Sequence, residues 1–96
     1  MRYEIVLAPE AAEDLRDLKA YARSQVLDAI ERHLRHAPTQ VAGSRIKRLR
    51  GVSRPQFRLR VGDLRVFYDA TKTTVEILAV VPKAAVVAWL NQEALR

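Results

Sequence analysis

The chain has 96 residues, 49% hydrophobic and 29% charged, with 3 Gly, 4 Pro and no Cys. This is one small domain, 1–96, of ordinary globular composition and too short for two cores. No disulfide framework or thiolate chemistry is available, no apolar stretch approaches the roughly 20 residues of a membrane helix, and acidic residues after the first apolar run argue against a signal peptide, so a cytoplasmic location is expected.

Net charge is +6, with a sequence pI near 10.3, which points to a polyanionic partner. Arg45, Lys47, Arg48, Arg50, Arg54, Arg58, Arg60 and Arg65 face a single acid, Asp63, within one segment. The rest of the chain holds nine cations and ten acids. The whole excess therefore belongs to residues 45–65, which favours a localised anion site over general basicity.

In chain order, Tyr3–Leu7 reads as a first strand. Pro9 opens a helix whose Glu10, Glu13 and Asp14 suit the positive end of the helix dipole. Ala11, Leu15, Leu18 and Ala22 fall at helical spacing, and Ser24 is placed to cap a second helix carrying Val26 or Leu27, Ile30 and Leu34. The two helices form either one bent helix or a helical hairpin. Pro38 ends the second. Residues 45–51, "RIKRLRG", are either a short strand or a basic connection anchored by Ile46 and Leu49.

Residues 57–68, "FRLRVGDLRVFY", form a hairpin around Gly62-Asp63, a strong two-residue turn signal. That turn sets Val61 opposite Leu64, Arg60 opposite Arg65, Leu59 opposite Val66 and Arg58 opposite Phe67. One face carries Phe57, Leu59, Val61, Leu64, Val66 and Tyr68, and the other carries Arg58, Arg60, Arg65, Phe67 and Asp69. A slip of one residue would bury the arginines, so the register is well specified. Val75–Val81, the most apolar run, is expected at the centre of the sheet. Pro82 stops it, and residues 83–95 form a terminal helix with Val86 or Val87, Leu90 and Trp89 toward the core. The order β-α-α-β-β-β-α gives an α+β fold: a small antiparallel sheet, the N-terminal helices packed on one face, and a C-terminal helix.

Catalytic motifs built on serine, cysteine, paired carboxylates or phosphate-binding glycine loops lack their residues. His33 and His36 are the only imidazoles, and no residue set has metal-ligand spacing, so neither metal nor cofactor is expected. What remains is guanidinium, a planar fork of donors suited to phosphate and to stacking on bases. Arginines facing one another across strands repel unless an anion lies among them. The alternative is a solvated face whose arginines pair with Asp69 or Glu76.

The frame "KRLRG…FRLRVGDLRVFY…VEILAVVPK" resembles the RelE/ParE superfamily of bacterial type II toxins along essentially the whole chain. For the RelE branch the resemblance implies a ribosome-dependent mRNA endonuclease. Such an enzyme promotes attack of a 2′-hydroxyl on the adjacent phosphate without metal. It implies Arg58 or Arg60 as proton acceptor or phosphate clamp, Arg65 as transition-state stabiliser and Lys83 as an assisting cation. Lys47, Arg48 and Arg50 would steer phosphates or face an antitoxin, and Phe67 and Trp89 would stack on bases, with Trp89 equally suited to the core. The chain departs from that branch at Ala84, where a second basic residue is usual, and at Trp89 or Leu90, where a tyrosine is usual. The ParE branch implies instead a non-nucleolytic inhibitor of DNA gyrase. A basic RNA-binding module without catalysis is the third reading. Implied partners are a cognate antitoxin, the ribosome and mRNA, and operator DNA through the antitoxin; no membrane is implied.

Overall fold

A computed structural model describes residues 2–94. The chain forms β1 (Glu4–Leu7), α1 (Pro9–Asp17), α2 (Ala20–Leu34), β2 (Ile46–Arg48), β3 (Phe57–Val61), β4 (Leu64–Ala70) and β5 (Thr74–Pro82). A 3₁₀ turn, Lys83–Ala85, then leads into α3 (Val86–Ala94). Leu95, which the sequence pattern assigns to this last helix, lies outside the described residues.

The five strands form one sheet in the order β1-β5-β4-β3-β2. Pairing is antiparallel from β2 to β5, whereas β1 runs parallel to β5. The sheet is therefore mixed and mostly antiparallel, the one parallel pair being at β1. The helices between β1 and β5 supply the crossover that parallel pairing requires. The most apolar strand, β5, lies inside the sheet between β1 and β4, but the central place expected for it belongs to β4.

The α+β architecture stands, and the joint between the first two helices differs from expectation. The break falls at Leu18 and Lys19, both in extended conformation, and Ser24 lies within α2 rather than capping it. The physical reason is Arg23. Its Nε donates to the Leu15 carbonyl at 2.8 Å, and its Nη2 donates to the carbonyls of Arg16 and Leu18 at 3.1 and 2.8 Å. One side chain thus satisfies carbonyls that the end of α1 would otherwise leave open.

Alternation along the strands divides the sheet into two apolar faces. Ala11 and Leu15 of α1 and Val26, Ile30 and Leu34 of α2 pack on Ile46, Phe57, Leu59, Val66, Tyr68, Val75, Ile77 and Val80. The rings of Phe57 and Tyr68 stack at 5.5 Å, and the Tyr68 hydroxyl donates to the Pro38 carbonyl at 2.6 Å. Burial raises the Tyr68 pKa above its ordinary value. On the opposite face Phe67, Ala79 and Val81 meet Val86, Trp89 and Leu90 of α3, with Leu49 beside them. The first two helices and the last one therefore clasp the sheet from opposite sides.

Asp14 ties α1 to the sheet where β1 ends. Its Oδ2 accepts from the Val80 amide at 2.9 Å, supplying a partner where β5 has run past β1. Burial raises the Asp14 pKa, the Val80 hydrogen bond opposes that rise, and Glu10, Asp17 and Glu13 add to it.

Candidate anion-binding face

The hairpin takes the register that its sequence predicts. Phe57 pairs with Tyr68, Arg58 with Phe67, Leu59 with Val66, Arg60 with Arg65 and Val61 with Leu64. Gly62 adopts φ 57° and Asp63 does not have a positive φ, so the turn has the type II′ pattern, with glycine first. Because Leu59, Val66 and Tyr68 face the main core, alternation places Arg58, Arg60 and Arg65 together on the face that α3 partly covers.

The three guanidinium groups are held differently. Arg65 is buried, with 8% exposure, and its Nη1 donates to the carbonyls of Gly62 and Leu64 at 2.8 and 2.9 Å. It is a fixed cation beneath the hairpin tip. Arg58 is half-buried; its Nη2 donates to the Ser44 carbonyl at 2.8 Å, while its Nε is buried with no partner among the described residues. Burial, then the neighbouring charges of Arg65 and Arg60, hold the Arg58 pKa below the usual guanidinium value. Arg60 is exposed. Asp69 and Glu76 do not neutralise this trio. Arg54 takes both, with its Nε 3.5 Å from Asp69 and its Nη2 3.2 Å from Glu76.

The remaining candidates separate. Residues 46–48 form a strand, and Lys47 pairs with Arg58, joining the arginine face. Arg48 falls on the other side, its guanidinium 5.2 Å from the centre of the Phe57 ring. It is therefore not grouped with Lys47 as the sequence suggests, because alternation turns neighbouring strand residues to opposite faces. Arg50 is exposed in the connection after β2. Lys83 is exposed, and its amide donates to the Asp63 carbonyl at 2.8 Å, which brings the start of the 3₁₀ turn beside the hairpin tip.

Phe67 corrects a second expectation. Phe67 is not an open platform for bases, being fully buried, while Trp89 takes the core alternative open to it, and the two rings stack on each other at 4.7 Å with 13° between their planes. The Trp89 Nε1 also donates to Glu10 Oε2 at 3.3 Å. Apolar area removed from water favours this pairing over leaving both rings exposed. Sequence reasoning also missed the Ser44 carbonyl that aims Arg58; a main-chain acceptor in a turn leaves no signature in residue type.

A cleft of about 780 Å³ lies between the start of α1 and the 51–54 connection, and none of the candidate residues lines it. Among the described residues, no three His, Cys, Asp or Glu side chains group as metal ligands, and no helix is long and apolar enough to cross a membrane.

The chain has relatives of known family and structure. Residues 5–86 match the family model for the ParE toxin of the type II toxin–antitoxin system parDE. No curated protein matches the chain. Among solved structures, the chain is similar to one from the Mycobacterium tuberculosis toxin–antitoxin complex RelBE2, at 26% identity and TM-score 0.73, covering 85% of this chain and 99% of that one. It is also similar to a chain of the archaeal RelE–RelB complex from Pyrococcus horikoshii, at 22% identity and TM-score 0.69, covering 86% and 97%. Escherichia coli toxin RelE, in a mutant form in the free state, shares the fold at 20% identity and TM-score 0.72, covering 99% and 96%. With a RelE-like fold and a family match that spans most of its length, the chain belongs to the ParE toxin family of type II toxin–antitoxin systems, within the RelE/ParE superfamily.

Proposed function

We propose that this toxin binds the phosphate backbone of mRNA on the translating ribosome and promotes its cleavage. The observation that carries this reading is the set of three guanidinium groups on one sheet face, with Lys47 beside them and the nearby Asp69 and Glu76 paired with Arg54 instead. In the reaction the 2′-oxygen bonds to phosphorus and the bond to the 5′-oxygen breaks. A proton leaves the 2′-hydroxyl and one reaches the departing oxygen. Negative charge grows on the phosphoryl oxygens, and preorganised cations stabilise it, commonly the largest catalytic contribution in such sites. Arg65, already tied to the Gly62 and Leu64 carbonyls, is the fixed member. Arg58, desolvated and facing like charges, gains most when an anion arrives. Arg60 and Lys83 complete the clamp. Arginine is a poor proton acceptor, so charge stabilisation rather than proton transfer is assigned the greater share.

Primer extension on translated mRNA, with Arg65→Ala alongside, tests this. New 5′ ends within codons that disappear in the variant are expected; intact mRNA on stalled ribosomes would sink the reading. The similar solved chains come from toxin–antitoxin complexes, which supports a cognate antitoxin as the partner that silences this one.

A second reading is inhibition of DNA gyrase. It is favoured by the match to the ParE toxin model and by arginine being a poor proton acceptor. Loss of supercoiling activity on adding purified toxin, with mRNA left uncut, would select it.

A further inference from the structure

The two edges of the sheet are built differently. At the β2 edge the Ala42 amide donates back to the Ile46 carbonyl, and Lys47 and Arg48 stand on the strand, so that edge is partly closed and charged. Charged side chains and irregular pairing are the usual guards against strand addition. The β1 edge has one such charge, Glu4 at its first residue, and pairs with β5 without a bulge. Its pairing with β5 turns the main-chain groups of Glu4, Val6 and Ala8 inward. By alternation, those of Ile5 and Leu7 point outward, and they meet no partner among the described residues. Tyr3 is already taken: its amide donates to the Arg35 carbonyl at 2.8 Å, and Arg35 Nη1 donates to its carbonyl at 3.0 Å. The open edge is therefore two residues long, flanked by apolar side chains that remain 40% exposed at Val6 and 39% at Leu7.

We infer that this edge pairs with the same edge of a second copy, β1 against β1 in antiparallel fashion, to give a continuous ten-strand sheet. The register is self-complementary. Ile5 of one copy pairs with Leu7 of the other and the reverse, which satisfies all four open groups on each side. Val6 then faces Val6 across the two-fold axis in a non-hydrogen-bonded pair, where Cα atoms approach to about 4.5 Å. Charge favours the same arrangement. In the order β1-β5-β4-β3-β2 the basic strands lie at the far edge, so joining through β1 keeps the two arginine faces as far apart as the sheet allows. The contact is short compared with the roughly 800 Å² that each partner buries in a standard interface. Association is therefore concentration-dependent.

The absence of cysteine makes the test direct. A Cα separation of about 4.5 Å falls within the range a disulfide spans, so Val6→Cys protein should form a covalent dimer on mild oxidation. Val87→Cys, at a position 72% exposed on α3, serves as the random-collision control. Sedimentation of the wild type should show a dimer that grows with concentration and that Val6→Lys abolishes without lowering the melting temperature. Crosslinking of Val6→Cys no faster than Val87→Cys would overturn the inference. So would a wild type that stays monomeric when concentrated, or a dimer that survives Val6→Lys.

Discussion

Arg60 lies directly across the hairpin from Arg65, and the strand carboxylates Asp69 and Glu76 pair with Arg54 instead. Like charges facing each other across strands cost about 0.2–1 kcal/mol. The arrangement is therefore unfavourable for the free toxin and favourable once an anion bridges the pair. Arg60→Ala should raise the melting temperature of the free protein while weakening RNA binding and relieving growth arrest. Thermal unfolding beside an RNA-binding titration checks both halves. A variant that loses stability as well as binding would mean Arg60 is held by contacts other than phosphate.

Salt should separate the cations by face. Binding to single-stranded RNA loses about 0.7 in the slope of log affinity against log salt for each phosphate contact removed. Lys47→Ala and Arg58→Ala should each flatten the slope by about that amount. Arg48→Ala, on the opposite face over Phe57, should leave it unchanged. Titrations at several salt concentrations give the comparison, and an equal effect at Arg48 would move the binding surface.

Arg23 holds the joint between α1 and α2 through three main-chain carbonyls. Charge-assisted hydrogen bonds contribute about 1.5–3 kcal/mol. Arg23→Ala should cost a few kcal/mol in urea unfolding. Arg23→Lys should recover only part of that, since an ammonium lacks the fork that reaches several acceptors at once.

Asp14 gives the fold a pH signature. Folded Asp14 holds its proton more tightly than the unfolded chain, whose ordinary value is 3.8, because burial raises its pKa. Its ionisation therefore opposes folding, and that opposition is fully present above the folded pKa and vanishes below about 3.8. Asp14→Asn keeps an acceptor for the Val80 amide and should be more stable than wild type at neutral pH, with the advantage lost on acidification. Asp14→Ala, which strands that amide, should cost about 1–3 kcal/mol. Denaturant curves at neutral and acidic pH distinguish the three.

Features set by residues close in sequence were legible without coordinates. The Gly62-Asp63 turn and the alternation around it establish every cross-strand pair of the hairpin, because turn length and side-chain period leave one register. The interior place of β5 follows from its unbroken apolar run. What escaped depends on contacts far apart in the chain. Ser24 has the chemistry of a cap, yet the break falls earlier because Arg23 reaches back to carbonyls up to eight residues away. Phe67 reads as an available ring until Trp89, brought over it by α3, covers it. Arg48 and Lys47 look alike as neighbouring cations, and only the existence of a β2 strand sends them to opposite faces.

Trp89 is the only tryptophan in the chain, and one face of its indole lies on Phe67 while its nitrogen bonds Glu10. Its emission therefore reports the seating of α3 without any label. Lifting that helix would move the indole into water and shift the fluorescence to the red, so the docking of whatever displaces it could be followed in real time on the unmodified toxin.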